Sequence, residues 1–252
     1  MGALLGKEIL EQWRTRHMLV LGAVFLFFGL LGPITAKLTP ELIQWVSSSA
    51  PGIIIQVPPP TARDAVLQYI KNLSQLLPLA VLLVAVGSLV GEKERGTLPL
   101  ILAKPVHRGA ILGAKLAALL VVVMVSLVLG AVAAYYYTWA LFGRLPLGGF
   151  VLMNAVAGLY LVVVLALTLL ASTLARSTVA ATAAALAMWL GLSLWGTLPR
   201  IGRASPSTLL SWAARLGVGQ HEPAEWPALL AGLGLAVLAL TVAWLSFRRQ
   251  EV

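Results

Sequence analysis

Residues 116–143 read LAALLVVVMVSLVLGAVAAYYYTWALFG, a stretch without Asp, Glu, Lys or Arg that is bounded by Lys115 and Arg144. A helix of about 20 apolar residues crosses the hydrocarbon core of a bilayer at about 1.5 Å rise per residue. This stretch therefore reads as one transmembrane helix, with Tyr135, Tyr136, Tyr137 and Trp139 suited to the membrane–water interface at its end.

Five further charge-free stretches flank it, at 17–36, 72–91, 145–175, 177–199 and 226–247. The fourth and fifth spans meet at Arg176 with no Gly or Pro between them. They are still two spans, because an unbroken helix from 145 to 199 would be about 80 Å long. The composition agrees: 60% of the residues are hydrophobic and 11% are charged, against roughly 25% charged in soluble domains. Mean hydropathy is +0.93. The expected fold is an all-α integral membrane protein, with six transmembrane helices in a single domain spanning 1–252.

An even number of spans puts both termini on one side. The positive-inside bias makes that side cytoplasmic, with Lys7, Arg14, Arg16, Lys93, Arg95, Lys104, Arg108, Lys115, Arg176, Arg248 and Arg249 inside and the other seven basic residues outside. The net charge of +9 does not signal a nucleic-acid partner, because the basic residues sit at span ends, as anchors beside anionic lipid headgroups do. Cysteine is absent, which removes disulfides and thiolate chemistry.

Residues 1–16 form an amphipathic helix. Leu5, Ile9, Leu10 and Trp13 share one face and Lys7, Glu8, Glu11 and Arg14 the other, as expected of a helix lying in the cytoplasmic interface. The apolar run that follows is longer than the 7–15 residues of a signal peptide's core and reads as a retained span. An extracytoplasmic segment at 37–71 separates the first two spans. Within it, Thr39, Pro40 and Glu41 read as a helix start. Thr61 with Asp64 resembles a capping box, so the second helix should begin near Thr61 and continue to about Gly91.

Conventional catalytic signals are missing. There is no phosphate loop, no H-E-x-x-H and no G-x-S-x-G, and no catalytic, cofactor-binding or metal-ligating residue is assigned. His17, His107 and His221 sit at span edges or in loops. No ionisable residue occupies a span centre, which argues against a secondary carrier. A non-transporting scaffold or assembly factor remains open. Ser88, Ser126, Asn154, Thr168, Ser172, Thr173, Thr182 and Ser193 are expected to hydrogen-bond between helices.

The loop after the second span, 92–115, is the most informative segment. Glu92, Lys93, Glu94 and Arg95 should stop the span at the water boundary, and Gly96 permits a sharp turn. Thr97 can cap a short helix in which Leu98, Ile101 and Leu102 form an apolar face and Pro105 ends the run. Arg108, Ile111, Leu112 and Lys115 follow.

This run resembles the E-K-E-x-G-T-L, L-L-x-x-P-x-x-R and L-x-x-K pattern of permease subunits in type-two ATP-binding-cassette (ABC) exporters. The resemblance implies a cytoplasmic coupling helix that docks on a separate cytosolic ABC ATPase, with ATP and Mg held by that partner. It also implies a second permease copy or a related permease, and a place in the cell membrane among its lipids. Pro99 stands where related loops often carry an acid.

Overall fold

The computed structural model describes residues 2–48, 58–97, 107–220 and 223–250. Every regular element among them is helical. Six spans are long and apolar enough to cross a membrane: His17–Trp45, Ala62–Glu94, Arg108–Phe142, Leu147–Leu174, Thr178–Gly196 and Trp226–Arg249. Each contains or closely matches one charge-free stretch, because a helix in lipid must close its own backbone hydrogen bonds.

Helix α1 (Gly2–Arg14) is followed by α2 (His17–Ser48). Arg16 between them adopts a φ of 61°, in the left-handed region, so the chain turns sharply there. α2 corrects the reading of Thr39 as a helix start, since it runs through both Pro33 and Pro40. The Thr39 hydroxyl donates back to the Thr35 carbonyl at 2.6 Å, and Thr35 donates to the carbonyls of Leu31 and Gly32. Hydroxyls of this kind help a membrane helix tolerate proline.

The second span is one run of three helices, α3 (Ala62–Gln75), α4 (Leu77–Ala85) and α5 (Gly87–Glu94). It begins as expected: the Thr61 backbone N–H and hydroxyl both donate to Asp64 Oδ2, at 2.8 and 2.7 Å. The first break precedes Pro78, which has no N–H to give the preceding turn. At the second break, the Ser172 hydroxyl oxygen accepts from the Leu89 and Val90 N–H groups at 3.2 and 3.0 Å.

α6 (Arg108–Phe142), α7 (Leu147–Leu174) and α8 (Thr178–Gly196) follow. The split at Arg176 is real: Ala175 is extended, and the Ser177 hydroxyl caps α8 by accepting from Ala180 N–H at 3.2 Å. A 3-10 turn at Gly202–Ala204 leads into α9 (Thr208–Gly217) and then α10 (Trp226–Arg249). α9 lies between the last two charge-free stretches. It tucks Leu209, Trp212, Ala213 and Leu216 against α7 and α3.

α7 is the centre of the bundle, with 72% of its most apolar window buried against 17% for α8. α2 pairs closely with α6 through glycines on both sides. A Cβ on Gly29 would lie 2.4 Å from the Gly130 carbonyl oxygen, and one on Gly130 would lie 2.7 Å from the Phe25 carbonyl oxygen. Small residues let helix backbones approach where lipid offers no hydrophobic drive to associate.

The polar neutral residues divide into three groups. Asn154 accepts from the Tyr69 hydroxyl at 2.8 Å, and Ser172 reaches α5, so these two cross between helices as expected. Thr168, Thr173, Thr182 and Ser193 instead donate to carbonyls of their own helices four residues back. Ser88 and Ser126 have buried hydroxyls with no hydrogen-bond partner among the described residues.

Candidate functional site

α1 and the last turn of α10 lie at one end of the bundle, and the charged segment after the second span is built into that end. Gly96, with φ 66°, closes α5: its N–H donates to the Lys93 carbonyl at 3.1 Å, and the Thr97 N–H donates to the Glu92 carbonyl at 3.0 Å. This pair of bonds is a Schellman closure, which favours glycine at the left-handed position. The Thr97 hydroxyl also donates to the Glu92 carbonyl, at 3.3 Å. Leu98, Ile101, Leu102 and Pro105, the expected apolar face and stop of the coupling helix, lie outside the described residues.

The three charges of the Glu-Lys-Glu run each hold a different helix. Glu92 Oε1 accepts from Lys115 Nζ at 2.7 Å, and the same ammonium donates to Glu8 Oε2 at 3.2 Å. All three side chains are buried, with exposures of 2–6%. The triad thus joins α1, α5 and α6. Lys93 Nζ donates to the carbonyls of Thr173 and Ala175, which are left free where α7 ends. Glu94 accepts from the backbone N–H and the hydroxyl of Thr178, the first residue of α8, a favourable place for a carboxylate.

The far foot of the segment is also tied down. Arg108 Nη1 donates to the carbonyls of Phe247, Arg248 and Gln250, closing the last turn of α10. Gln250 Nε2 donates in turn to the Thr173 carbonyl at 2.8 Å. Arg95 folds back, its Nε donating to the Gly91 carbonyl at 3.0 Å.

Two sequence readings need correction here. The sequence reads 92–115 as a cytoplasmic loop, but Glu92 to Glu94 complete α5 and Arg108 to Lys115 begin α6. Charge-free length locates where charge begins, and a helix need not stop there when its first charges are paired. The sequence pattern places Glu8 on the face opposite Leu5, Ile9, Leu10 and Trp13, yet Glu8 and Gln12 point inward while Ile9, Leu10 and Trp13 are exposed and Leu5 is half-buried. Of the polar face, Glu8 meets protein, while Lys7 and Arg14 are exposed. Only the spacing of Glu8 and Gln12, one turn apart beside an apolar face, hinted at this.

Around the triad, Lys7 donates to Glu8 Oε1 at 3.2 Å and lies 3.6 Å from Glu11. Partial burial pulls the Lys7 pKa down, but the attraction of Glu8 and Glu11 outweighs it, so the ammonium is held above its ordinary value. Carboxylate oxygens of Glu8, Glu11 and Glu92 lie within 4.8 Å of one another. Lys115 pairs with Glu8 and Glu92, and Lys7 with Glu8 and Glu11, so each of the three carboxylates has an ammonium beside it. Gln12 Oε1 accepts from His17 Nδ1 at 3.0 Å, His107 precedes the first turn of α6, and His221 lies outside the described residues.

A family model described as ABC-2 family transporter protein matches residues 3–252. The chain belongs to the ABC-2 transporter family. It is also similar to a Bacillus subtilis (strain 168) protein described as an uncharacterized transmembrane protein, YxlG, at 26% identity over 255 residues, covering 100% of this chain and 98% of the relative. This ABC-2 protein is therefore the kind of membrane permease component that ABC transporters use. Such subunits are generally non-catalytic and generally partner with an ATPase subunit. In this ABC-2 chain, the segment carrying the family resemblance is the one whose two feet are clasped to the bundle.

Proposed function

We propose that this ABC-2 permease forms the translocation path of an exporter and that its 92–115 segment is the surface on which a cytosolic ABC ATPase acts. The observation that carries the reading is the double clasp. One foot holds α1, α6, α7 and α8 through Glu92, Lys93 and Glu94. The other holds α10 through Arg108. A displacement of the intervening residues would therefore reach five helices directly.

In this reading both termini and the clasp face the cytoplasm, in keeping with the basic residues gathered at that end. α1 lies in the interface with Ile9, Leu10 and Trp13 toward lipid. ATP and Mg belong to the ATPase. A second permease copy, or a related permease, completes the path between the two. Ion-driven transport is disfavoured, because the buried ionisable groups are paired at the ends of spans and not placed in their centres.

The test is co-purification from the native host in mild detergent. A phosphate-loop ATPase should come with the wild-type protein and be lost when Leu98→Asp and Ile101→Asp are introduced together. An ATPase-free assembly, or a complex unchanged by those substitutions, would overturn the proposal.

A further inference from the structure

At the end away from the termini, α6 and α7 are joined by only the four residues 143–146, yet their facing sides part just inside that link. Between them lies a groove of about 600 Å³, within the range of about 300–1,000 Å³ typical of sites for small organic ligands. Leu127, Ala131 and Tyr135 line it from α6, and Val151, Ala155 and Gly158 from α7. Steps of three and four residues make each set one continuous helix face. The groove closes inward at Gly158, where a Cβ would stand 3.1 Å from Leu127. Its outer lip is exposed, with Val132 and Tyr136 about 60% accessible.

The dimensions narrow the choice of occupant. On α7 the lining runs from Leu147 to Gly158, and on α6 from Trp139 to Met124. At about 1.5 Å per residue these are roughly 16 and 22 Å of helix. One leaflet of a hydrocarbon core about 30 Å thick is roughly 15 Å deep. The groove therefore starts at the aromatic residues Tyr136 and Trp139, which suit headgroup level, and ends near the midplane. A helix from a second copy would need a face running the full span.

Charge stands at the open end. Arg144 lies in the link between Trp139 and Leu147, is exposed, and has no ion-pair partner among the described residues. We propose that the groove is a binding site for one anionic phospholipid, with an acyl chain between α6 and α7 and its phosphate on Arg144. The site is separate from the clasp and stands whether or not an ATPase binds there.

The test is native mass spectrometry of the full chain released from nanodiscs of mixed phosphatidylglycerol and phosphatidylcholine. The wild type should retain one phosphatidylglycerol per chain. Ala155→Phe, which fills the groove, should cut retention at least about tenfold, a shift well within what one lost apolar site can produce. Val151→Phe at the lip gives the same reading should Ala155→Phe fail to fold. Arg144→Gln should keep a lipid but lower the preference for phosphatidylglycerol about five-fold, from about 1 kcal/mol per basic residue at the headgroups. Arg203→Gln should change neither. Unchanged retention in the filled variants, unchanged preference in Arg144→Gln, or a filled variant that instead dissociates a dimer would each overturn the proposal.

Discussion

At the end carrying both termini, Glu8, Glu92 and Lys115 are buried and paired at 2.7 and 3.2 Å, whereas at the opposite end Arg144 is exposed beside an apolar groove. The first arrangement is rigid. Each charged group has a defined partner, and removing one strands the others in a medium of low polarity. The second is adaptable, since an apolar wall accepts any chain of suitable width and the exposed cation is solvated without help. The contrast separates a fixed joint, as the proposed coupling role requires, from an accommodating surface, as the proposed lipid site requires.

The largest effect should come from Lys115→Met, which leaves Glu92 buried without a counter-charge and Glu8 with Lys7 alone. Thermal unfolding in detergent should register a loss of about 3–5 kcal/mol. Adding Glu8→Gln and Glu92→Gln should recover much of it, because the stranded charges are then gone. A Lys115→Met protein as stable as an Arg176→Gln control would remove the joint from the account.

Gly29→Val tests the α2–α6 crossing, which lies between the two ends. Its Cβ would meet the Gly130 carbonyl oxygen at 2.4 Å, so the helices must separate. Overpacking of this kind costs about 1–3 kcal/mol, measurable as a shift in the denaturant midpoint. Tyr69→Phe removes the buried hydrogen bond to Asn154 at the groove's inner wall. The expected cost is about 1 kcal/mol, in the range of polar contacts between membrane helices. No change in midpoint would mean that Asn154 finds another donor there.

The smallest effect belongs to Glu94→Ala. The global midpoint should hold, while hydrogen exchange quickens at the Thr178 amide that loses its carboxylate acceptor. Protection there equal to the wild type would show that Ser177 alone secures the start of α8.

Much of this architecture was legible in the residues. The six spans follow from charge-free length, the division at Arg176 from bilayer thickness, and the start of α3 from Thr61 and Asp64. Other features were not. Pro40 looked like a helix start and is a helix interior, because local proline rules yield when the preceding hydroxyls turn back onto the helix. α9, at ten residues and interrupted by Ser211 and Arg215, is too short to register as a charge-free span. The clasp's charges were visible, but their partners were not: Glu8 and Lys115 are 107 residues apart.

The sequence by itself determined that this chain is a six-span helical membrane protein, since a charge-free run of sufficient length has one stable solution in lipid. It also carried the run from Glu92 to Lys115 that marks the family. Only the tertiary structure decided which spans are interior. α6 is more hydropathic than α7, yet 39% of its apolar window is buried against 72% for α7. Lipid and protein interior are equally apolar, so hydropathy cannot separate them, and only packing decides which of the two a side chain faces.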